Sequence, residues 1–276
     1  MPGMLYLVPT PIGNLGDISV RCRETLAEAD FLAAEDTRVS LRLLNYLGLK
    51  KTLVSYYEHN KAESGRRILE RLLAGETCAL VTDAGSPAIS DPGEDLVALC
   101  AKHGVAVTAI PGPCAIISAL SISGLPTGRF TFEGFLSTNK KSRREHLQTL
   151  QGERRTMIFY EAPHKLAATL DDLLAAFGAE RRISLCRELT KLHEEVLRMT
   201  LGEAVAYHAQ QPPRGEYVLV LEGAQAEMPT ASSREDAVAR MLALMGTGLS
   251  RKDAAKQAAA ETGLPKNALY DASLSK

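Results

Sequence analysis

Short apolar runs alternate with longer stretches of helical spacing through the first 110 residues, and that alternation leaves few folds open. Leu5–Val8, Phe31–Ala34, Thr52–Ser55, Cys78–Val81 and Val105–Ile110 read as strands, and the segments at about 19–29, 37–48, 61–74 and 91–104 read as helices. Strands joined by crossovers of this length lie parallel, and the twist of the strands makes the crossovers right-handed. The expected fold class is therefore α/β, with a mainly parallel N-terminal sheet covered by helices. A further helix from about Pro113 to Gly124 leads into Leu125-Pro126-Thr127-Gly128, which reads as a link into a second domain.

The second half is organised differently. Phe130–Phe135, Thr156–Tyr160, Ile183–Cys186, Val196–Thr200 and Tyr217–Leu221 are strand candidates, separated by helices near 142–150, 163–177 and 202–210. The stretch from Arg187 to Met199 is too short for a crossover helix, so two of these strands should pair as a hairpin and give a mixed sheet. Residues 225–233 read as a linker, and 234–273 hold three short helical patterns broken by Gly246-Thr247-Gly248 and Thr262-Gly263-Leu264-Pro265. Ser250 with Asp253 has the spacing of a capping box. The expected division is residues 1–125, 126–224 and a small helical module at 234–276. That module is either helix-turn-helix-like or a helical subdomain packed on the body or on a dimer partner.

The loop Thr82-Asp83-Ala84-Gly85-Ser86-Pro87-Ala88-Ile89-Ser90-Asp91-Pro92-Gly93 follows the strand Cys78–Val81. Strand-to-helix loops at the carboxyl ends of parallel strands are where such sheets bind ligands, and a glycine there lets a ligand approach the main chain closely. The loop is neither G-x-G-x-x-G nor a Walker loop, so dinucleotide and nucleoside triphosphate binding lose support. Asp91-Pro92-x-Glu94 reads as an N-cap, a first-turn proline and a capping acid, which keeps Asp91 out of the expected site.

Composition narrows the remaining classes. A net charge of −1 argues against wholesale electrostatic attraction to nucleic acid or membrane and leaves local patches open. Five cysteines with no C-x-x-C pair argue against a disulfide or zinc framework; no metal is expected, and a reducing cytoplasm fits. The start Met1-Pro2-Gly3-Met4 carries no charged leader, and no apolar stretch has membrane-spanning length.

Several segments together resemble a known family: Leu5-Tyr6-Leu7-Val8-Pro9-Thr10-Pro11-Ile12-Gly13-Asn14-Leu15-Gly16-Asp17-Ile18, Ala34-Glu35-Asp36-Thr37-Arg38, the Asp83–Gly93 loop, Ile110-Pro111-Gly112-Pro113-Cys114-Ala115, Phe159-Tyr160-Glu161-Ala162-Pro163-His164-Lys165 and Arg187-Glu188-Leu189-Thr190-Lys191. In order and spacing they are similar to the class III, tetrapyrrole-methylase-type S-adenosylmethionine-dependent methyltransferases. The match is closest to a branch that modifies ribosomal RNA. It covers roughly residues 4–223, and the three-helix tail resembles that branch's C-terminal helix-turn-helix domain. The resemblance implies 2′-O-methylation of a cytidine ribose in the decoding region of 16S rRNA, by a homodimer with S-adenosyl-L-methionine folded into the cleft between two α/β domains. It also implies a cofactor pocket made of Pro11 and Ile12, then Ala84, Gly85, Ser86, Pro87 and Ile89, then Cys114 and Ala115, then Tyr160 and Glu161, then Leu189, and finally Gly215 and Glu216. Ser86 stands where small-molecule members carry an acid, and Cys114 where they carry threonine.

Methyl transfer to a ribose hydroxyl asks chiefly for alignment, helped by a nearby base or cation. Asp36, at the end of the second strand, reads as a base or ribose hydrogen-bond acceptor and equally as the N-cap of the next helix. Arg38 is a candidate phosphate clamp, and Lys191, Glu194 and Glu161 are weaker catalytic candidates. Lys140, Lys141, Arg143 and Arg144 form a compact basic run suited to RNA phosphates; without the resemblance, a solvated helix start is the preferred reading. Two alternatives stand beside the RNA methyltransferase reading: a methylase of a small tetrapyrrole-like substrate, and a non-catalytic protein that binds RNA or a partner.

Overall fold

The computed structural model describes residues 2–225 and 234–273. Contacts divide the chain into two compact units, one ending at Glu222 and the other beginning at Gly223.

The first unit opens with five strands, β1 (Met4–Leu7), β2 (Phe31–Ala34), β3 (Thr52–Ser55), β4 (Cys78–Val81) and β5 (Ala106–Ala109). They form one all-parallel sheet in the order β3-β2-β4-β1-β5. Every residue of β2 and β4 is buried, as expected of strands covered on both faces. Alternation along β2 explains the layering. Phe31 and Ala33 join Ile68, Leu72 and Leu96 on the side of α3 (Lys61–Leu73) and α4 (Glu94–Lys102), whereas Leu32 and Ala34 join Leu26 and Leu44 on the side of α1 (Val20–Glu28) and α2 (Thr37–Leu47).

A second sheet follows, built from β6 (Phe130–Phe135), β7 (Thr156–Glu161), β8 (Arg182–Arg187), β9 (Glu195–Thr200) and β10 (Tyr217–Leu221), in the order β6-β7-β10-β8-β9. Only β6 and β7 are parallel, and β8 and β9 pair as the expected hairpin, so the sheet is mixed. One face carries α6 (Lys140–Thr149), α7 (Pro163–Phe177) and α8 (Leu201–Gln210) over Met157, Phe159, Leu185 and Leu219. The other face receives α5 (Ala115–Ile122), whose Ile116, Ala119 and Leu120 pack with Ile158, Cys186, Val218 and Val220. The helix that leaves the first sheet thus covers the second, which places both sheets in one compact unit.

The second unit contains α9 (Arg234–Gly246), α10 (Arg251–Thr262) and α11 (Lys266–Ala272), closed over Ala237, Met241, Ala254, Ala258 and Leu269. Ser250 caps α10 as its spacing predicts, accepting from the Asp253 amide at 3.2 Å. The linker expected over 225–233 lies, apart from Gln225, outside the described residues. Among the described residues no helix is long and apolar enough to cross a membrane.

One expectation about local structure is overturned. Asp91 does not cap α4: the helix begins at Glu94, its N-cap is Gly93, and no side chain caps it. Gly93 has a φ of +150°, and a Cβ there would lie 2.9 Å from both Ala88 Cβ and Leu80 Cδ2. The close approach of the loop to β4 turns the chain at Gly93 and leaves Asp91 outside the helix.

Candidate functional site

The carboxyl ends of the parallel strands open onto a cleft of about 450 Å³, walled on the far side by the second sheet. Its near wall is the β4–α4 loop. Gly85 anchors that loop to the loop after β1 by a pair of main-chain hydrogen bonds with Thr10, at 2.9 and 3.0 Å. The Ser86 hydroxyl donates to the Pro113 carbonyl at 3.2 Å, which ties the same loop to the segment before α5. Gly85 itself has a φ of +86°, and a Cβ there would sit 3.4 Å from Ile12 Cγ2. The left-handed backbone favours glycine here, and Ile12 leaves little room for anything larger than a methyl group.

Backbone strain is concentrated in two loops at this cleft. Among the described residues the non-glycine residues with positive φ are Ala88 and Ser90 in the near wall, and Glu188 and Thr190 in the β8–β9 loop. Non-glycine residues hold such conformations only where surrounding contacts enforce them, and these cluster at ligand sites. In the far loop the enforcing contacts are visible. Glu188 Oε1 accepts from Lys191 Nζ and from the Glu216 amide, each at 2.9 Å, and Lys191 Nζ also donates to Glu216 Oε2 at 2.9 Å. Gly215 makes room for this ring, because a Cβ there would lie 2.5 Å from Glu188 Cγ and Cδ. Burial works against the Lys191 charge, but its bonds to Glu188 and Glu216 outweigh it and raise its pKa.

The structure brings most of the expected cofactor residues to one cavity. Ile12, Ala84, Gly85, Ser86 and Ile89 line it from the first lobe, with Cys114 and Ala115 at the start of α5. Tyr160, Glu161, Leu189, Lys191 and Glu216 line it from the second sheet. Three expected residues are not in this lining. Pro87 faces a separate groove of about 510 Å³ between the loop and α4, Gly215 stands behind Glu188, and Pro11 only leads into Ile12.

Several lining residues were missed from the sequence, notably Asp83, Asp91, Phe135 and Tyr217. Phe135 and Phe132 flank Tyr160 at centroid distances of 5.4 and 5.0 Å, forming an aromatic wall, and burial raises the pKa of the Tyr160 phenol. Asp91 is half-buried on the cleft wall. Burial is the main cause that pushes its carboxyl up to about 6, and the nearby Glu35 and Asp83 carboxylates add to it against the lowering effect of the Thr82 hydroxyl. The only available signal was the loop's acidic content, and Asp-Pro-Gly before an apolar run also reads as a cap.

Asp36 and Arg38 lie beside the cleft, outside its lining. Asp36 caps α2, accepting from the Arg38 amide at 2.8 Å, and pairs with the Arg38 guanidinium at 2.6 Å. That guanidinium holds the partly exposed carboxyl down to about 2. The Asp36 amide donates to Asp83 Oδ1 at 3.2 Å, so this corner adjoins the cleft through the main chain. In the basic run, Lys140, Lys141 and Arg144 are exposed on the first turns of α6. Arg143 is a correction: it is 9% exposed, with Nε on Asp172 Oδ2 at 2.5 Å and Nη2 on Thr169 Oγ1 at 2.7 Å, so it faces α7 and is not free for a phosphate. Among the described residues no group of three or more His, Cys, Asp or Glu side chains could hold a metal ion.

The two-lobed fold, with a cleft between its sheets, goes with a match of residues 4–205 to the profile of the Tetrapyrrole (Corrin/Porphyrin) Methylases, which places the chain in that class of methyltransferase. Solved structures share the fold. The methyltransferase CobJ superposes with a TM-score of 0.60 at 18% identity, covering 80% of this chain and 95% of that one. Uroporphyrin-III C-methyl transferase from Thermus thermophilus, complexed with S-adenyl homocysteine, gives 0.54 at 19%, covering 80% and 97%. Residues 230–276 match the RsmI C-terminal HTH domain. Ribosomal RNA small subunit methyltransferase I of Synechocystis sp. is 48% identical over 99% of this chain and 98% of its own length, and that of Halalkalibacterium halodurans 47% over 98% and 94%. The chain belongs to the ribosomal RNA small subunit methyltransferase I family.

Proposed function

We propose that this protein transfers a methyl group from S-adenosyl-L-methionine to the 2′-hydroxyl of a cytidine ribose in the decoding region of 16S rRNA. The observation that carries the reading is the cleft itself, a cavity of about 450 Å³ at the carboxyl ends of parallel strands, in a chain similar to ribosomal RNA methyltransferases over nearly its full length. The residues present fit the cofactor. Gly85 leaves space that a Cβ would fill, and Ile12, Ile116, Leu189 and Val218 offer apolar surface to a nucleoside. Asp83 adds a carboxyl group to the lining that can meet the positive charge of a sulfonium or ammonium.

The cofactor would supply a methyl already activated toward attack. The protein's part is alignment of the ribose oxygen and management of its proton. Lys191, held as a cation by Glu188 and Glu216, is suited to a phosphate or a developing negative charge and not to a base role. Asp36, paired with Arg38, is likewise too acidic to abstract a proton near neutral pH; it serves as a hydrogen-bond acceptor to the sugar, with Arg38 as the phosphate contact. Lys140, Lys141 and Arg144 extend the RNA-facing surface. We place the lobe boundary near residue 125, with the helices from 234 onward as a separate module, and take the working form to be a cytoplasmic homodimer.

Incubation with labelled cofactor and small ribosomal subunits lacking the modification tests this reading. The expected product is a cytidine whose 3′ phosphodiester resists alkali, as a 2′-O-methyl requires. Label on a base, or only on small tetrapyrroles, would reject the proposal.

A further inference from the structure

We propose that Asp91 accepts the proton of the acceptor hydroxyl as the methyl group is transferred. The inference rests on the methyltransferase reading above and adds a residue that the sequence had set aside as a helix cap.

Four carboxylates line the cleft among the described residues, and three of them are committed elsewhere. Glu161 is 4% exposed, with one oxygen taking the Ala162 amide at 2.9 Å and the other the Thr169 hydroxyl. Glu216 is paired with Lys191. Asp83 Oδ1 accepts from the Asp36 amide. Asp91 has only the Thr82 hydroxyl as a neighbour to bond with, and that hydroxyl has one proton, which it donates to Glu35 Oε2 at 3.0 Å. The single Thr82 proton is thus shared between two acids and only partly offsets the burial of Asp91.

The surroundings sustain this behaviour. Thr82 and Glu35 face Asp91 from the ends of β4 and β2, Asp83 from its own loop and Tyr160 from β7; none of these is a cation. A carboxyl kept half-buried among acids and unpaired with any base titrates close to neutrality, where a general base is most effective. The loop conformation is built to hold it there, with Ala88 and Ser90 in left-handed backbone and Gly93 packed against Ala88. In the step, the hydroxyl oxygen bonds to the methyl carbon while the carbon–sulfur bond breaks and its electron pair stays on sulfur. The hydroxyl proton passes to the Asp91 carboxylate. Water takes that proton when the methylated RNA leaves.

The test is Asp91→Asn in the full-length protein, with Thr82→Val beside it. Asp91→Asn is expected to bind S-adenosylmethionine within about threefold of the unaltered protein by calorimetry. Its single-turnover methylation of unmodified small subunits should fall on the order of 100-fold. The rate of the unaltered protein should rise with pH through a midpoint near 6, and that midpoint should vanish in Asp91→Asn. Carbon-13 NMR of labelled aspartates, a readout independent of activity, should show one carboxyl titrating near 6 that is lost in Asp91→Asn and displaced in Thr82→Val. A rate within fivefold of the unaltered protein would overturn the proposal. So would a loss that disappears at saturating cofactor, since Asp91 would then be a binding contact only. Failure of the unaltered protein to methylate the subunits would instead reject the reading on which the proposal rests.

Discussion

Gly85→Val perturbs the β4–α4 loop where it lines the cleft. Gly85 has a φ of +86°, and both its amide and its carbonyl are committed to Thr10. Any L-residue there loses roughly 1–2 kcal/mol to the left-handed backbone, and a β-branched one more. The new Cβ would also stand 3.4 Å from Ile12 Cγ2, so the two valine methyls must push Ile12 aside or enter the cleft. Overpacking of that kind costs about 1–3 kcal/mol. The strain falls on the folded protein with or without ligand, whereas the occupied space falls on the complex alone. Unfolding in urea should therefore show a loss of about 2–3 kcal/mol, and calorimetry a loss of cofactor affinity of up to about 100-fold, at 1.4 kcal/mol per tenfold. Gly85→Ala supplies the control: similar strain, a smaller intrusion, and less than about a tenfold loss of affinity. Undiminished affinity in Gly85→Val would refute the assignment of this loop to the cofactor.

Charge reversal at Lys140, Lys141 and Arg144 should weaken RNA binding and flatten its salt dependence by up to about three phosphate contacts, leaving cofactor affinity unchanged; an unaltered salt slope removes these residues from the interface. Arg143→Ala should behave differently, destabilising the fold by roughly 1–3 kcal/mol in a urea titration because Thr169 and Asp172 lose their buried partner. The Asp36–Arg38 pair makes a prediction in pH. The folded carboxyl lies near 2 against 3.8 for the free group, so its stabilisation is present above about pH 4 and is lost as pH falls toward 2. The gap in urea midpoint between the unaltered protein and Asp36→Ala should be constant from pH 5 upward and should close below pH 4; a gap that persists at pH 2 contradicts the pairing.

Legibility in the sequence followed the range of the interactions involved. β2 and β4 begin and end where their apolar runs do, because a four-residue apolar run between polar flanks is buried on both faces of the sheet. The hairpin β8–β9 was readable from the shortness of its connection, and the cleft-lining turn around Gly85 from its glycine and its place after a parallel strand. Arg143 was not readable. Its partners Thr169 and Asp172 lie 26 and 29 residues away on α7, and a basic run at a helix start looks solvated until that helix is docked.

By itself, then, the sequence determined the order of strands and helices, the division into a parallel and a mixed sheet, and the loops that could meet a ligand, since these depend on local periodicity and connection length. Tertiary structure decided which acid meets the cleft. Locally, Asp91 and Asp36 are each a capping residue before a helix; Asp36 keeps that role and is neutralised by Arg38, whereas contact between Gly93, Ala88 and Leu80 starts α4 late and leaves Asp91 on the cleft wall. The same level of structure turned α5 onto the second sheet, because burying Ile116, Ala119 and Leu120 needed a surface that no neighbouring segment of the chain could supply.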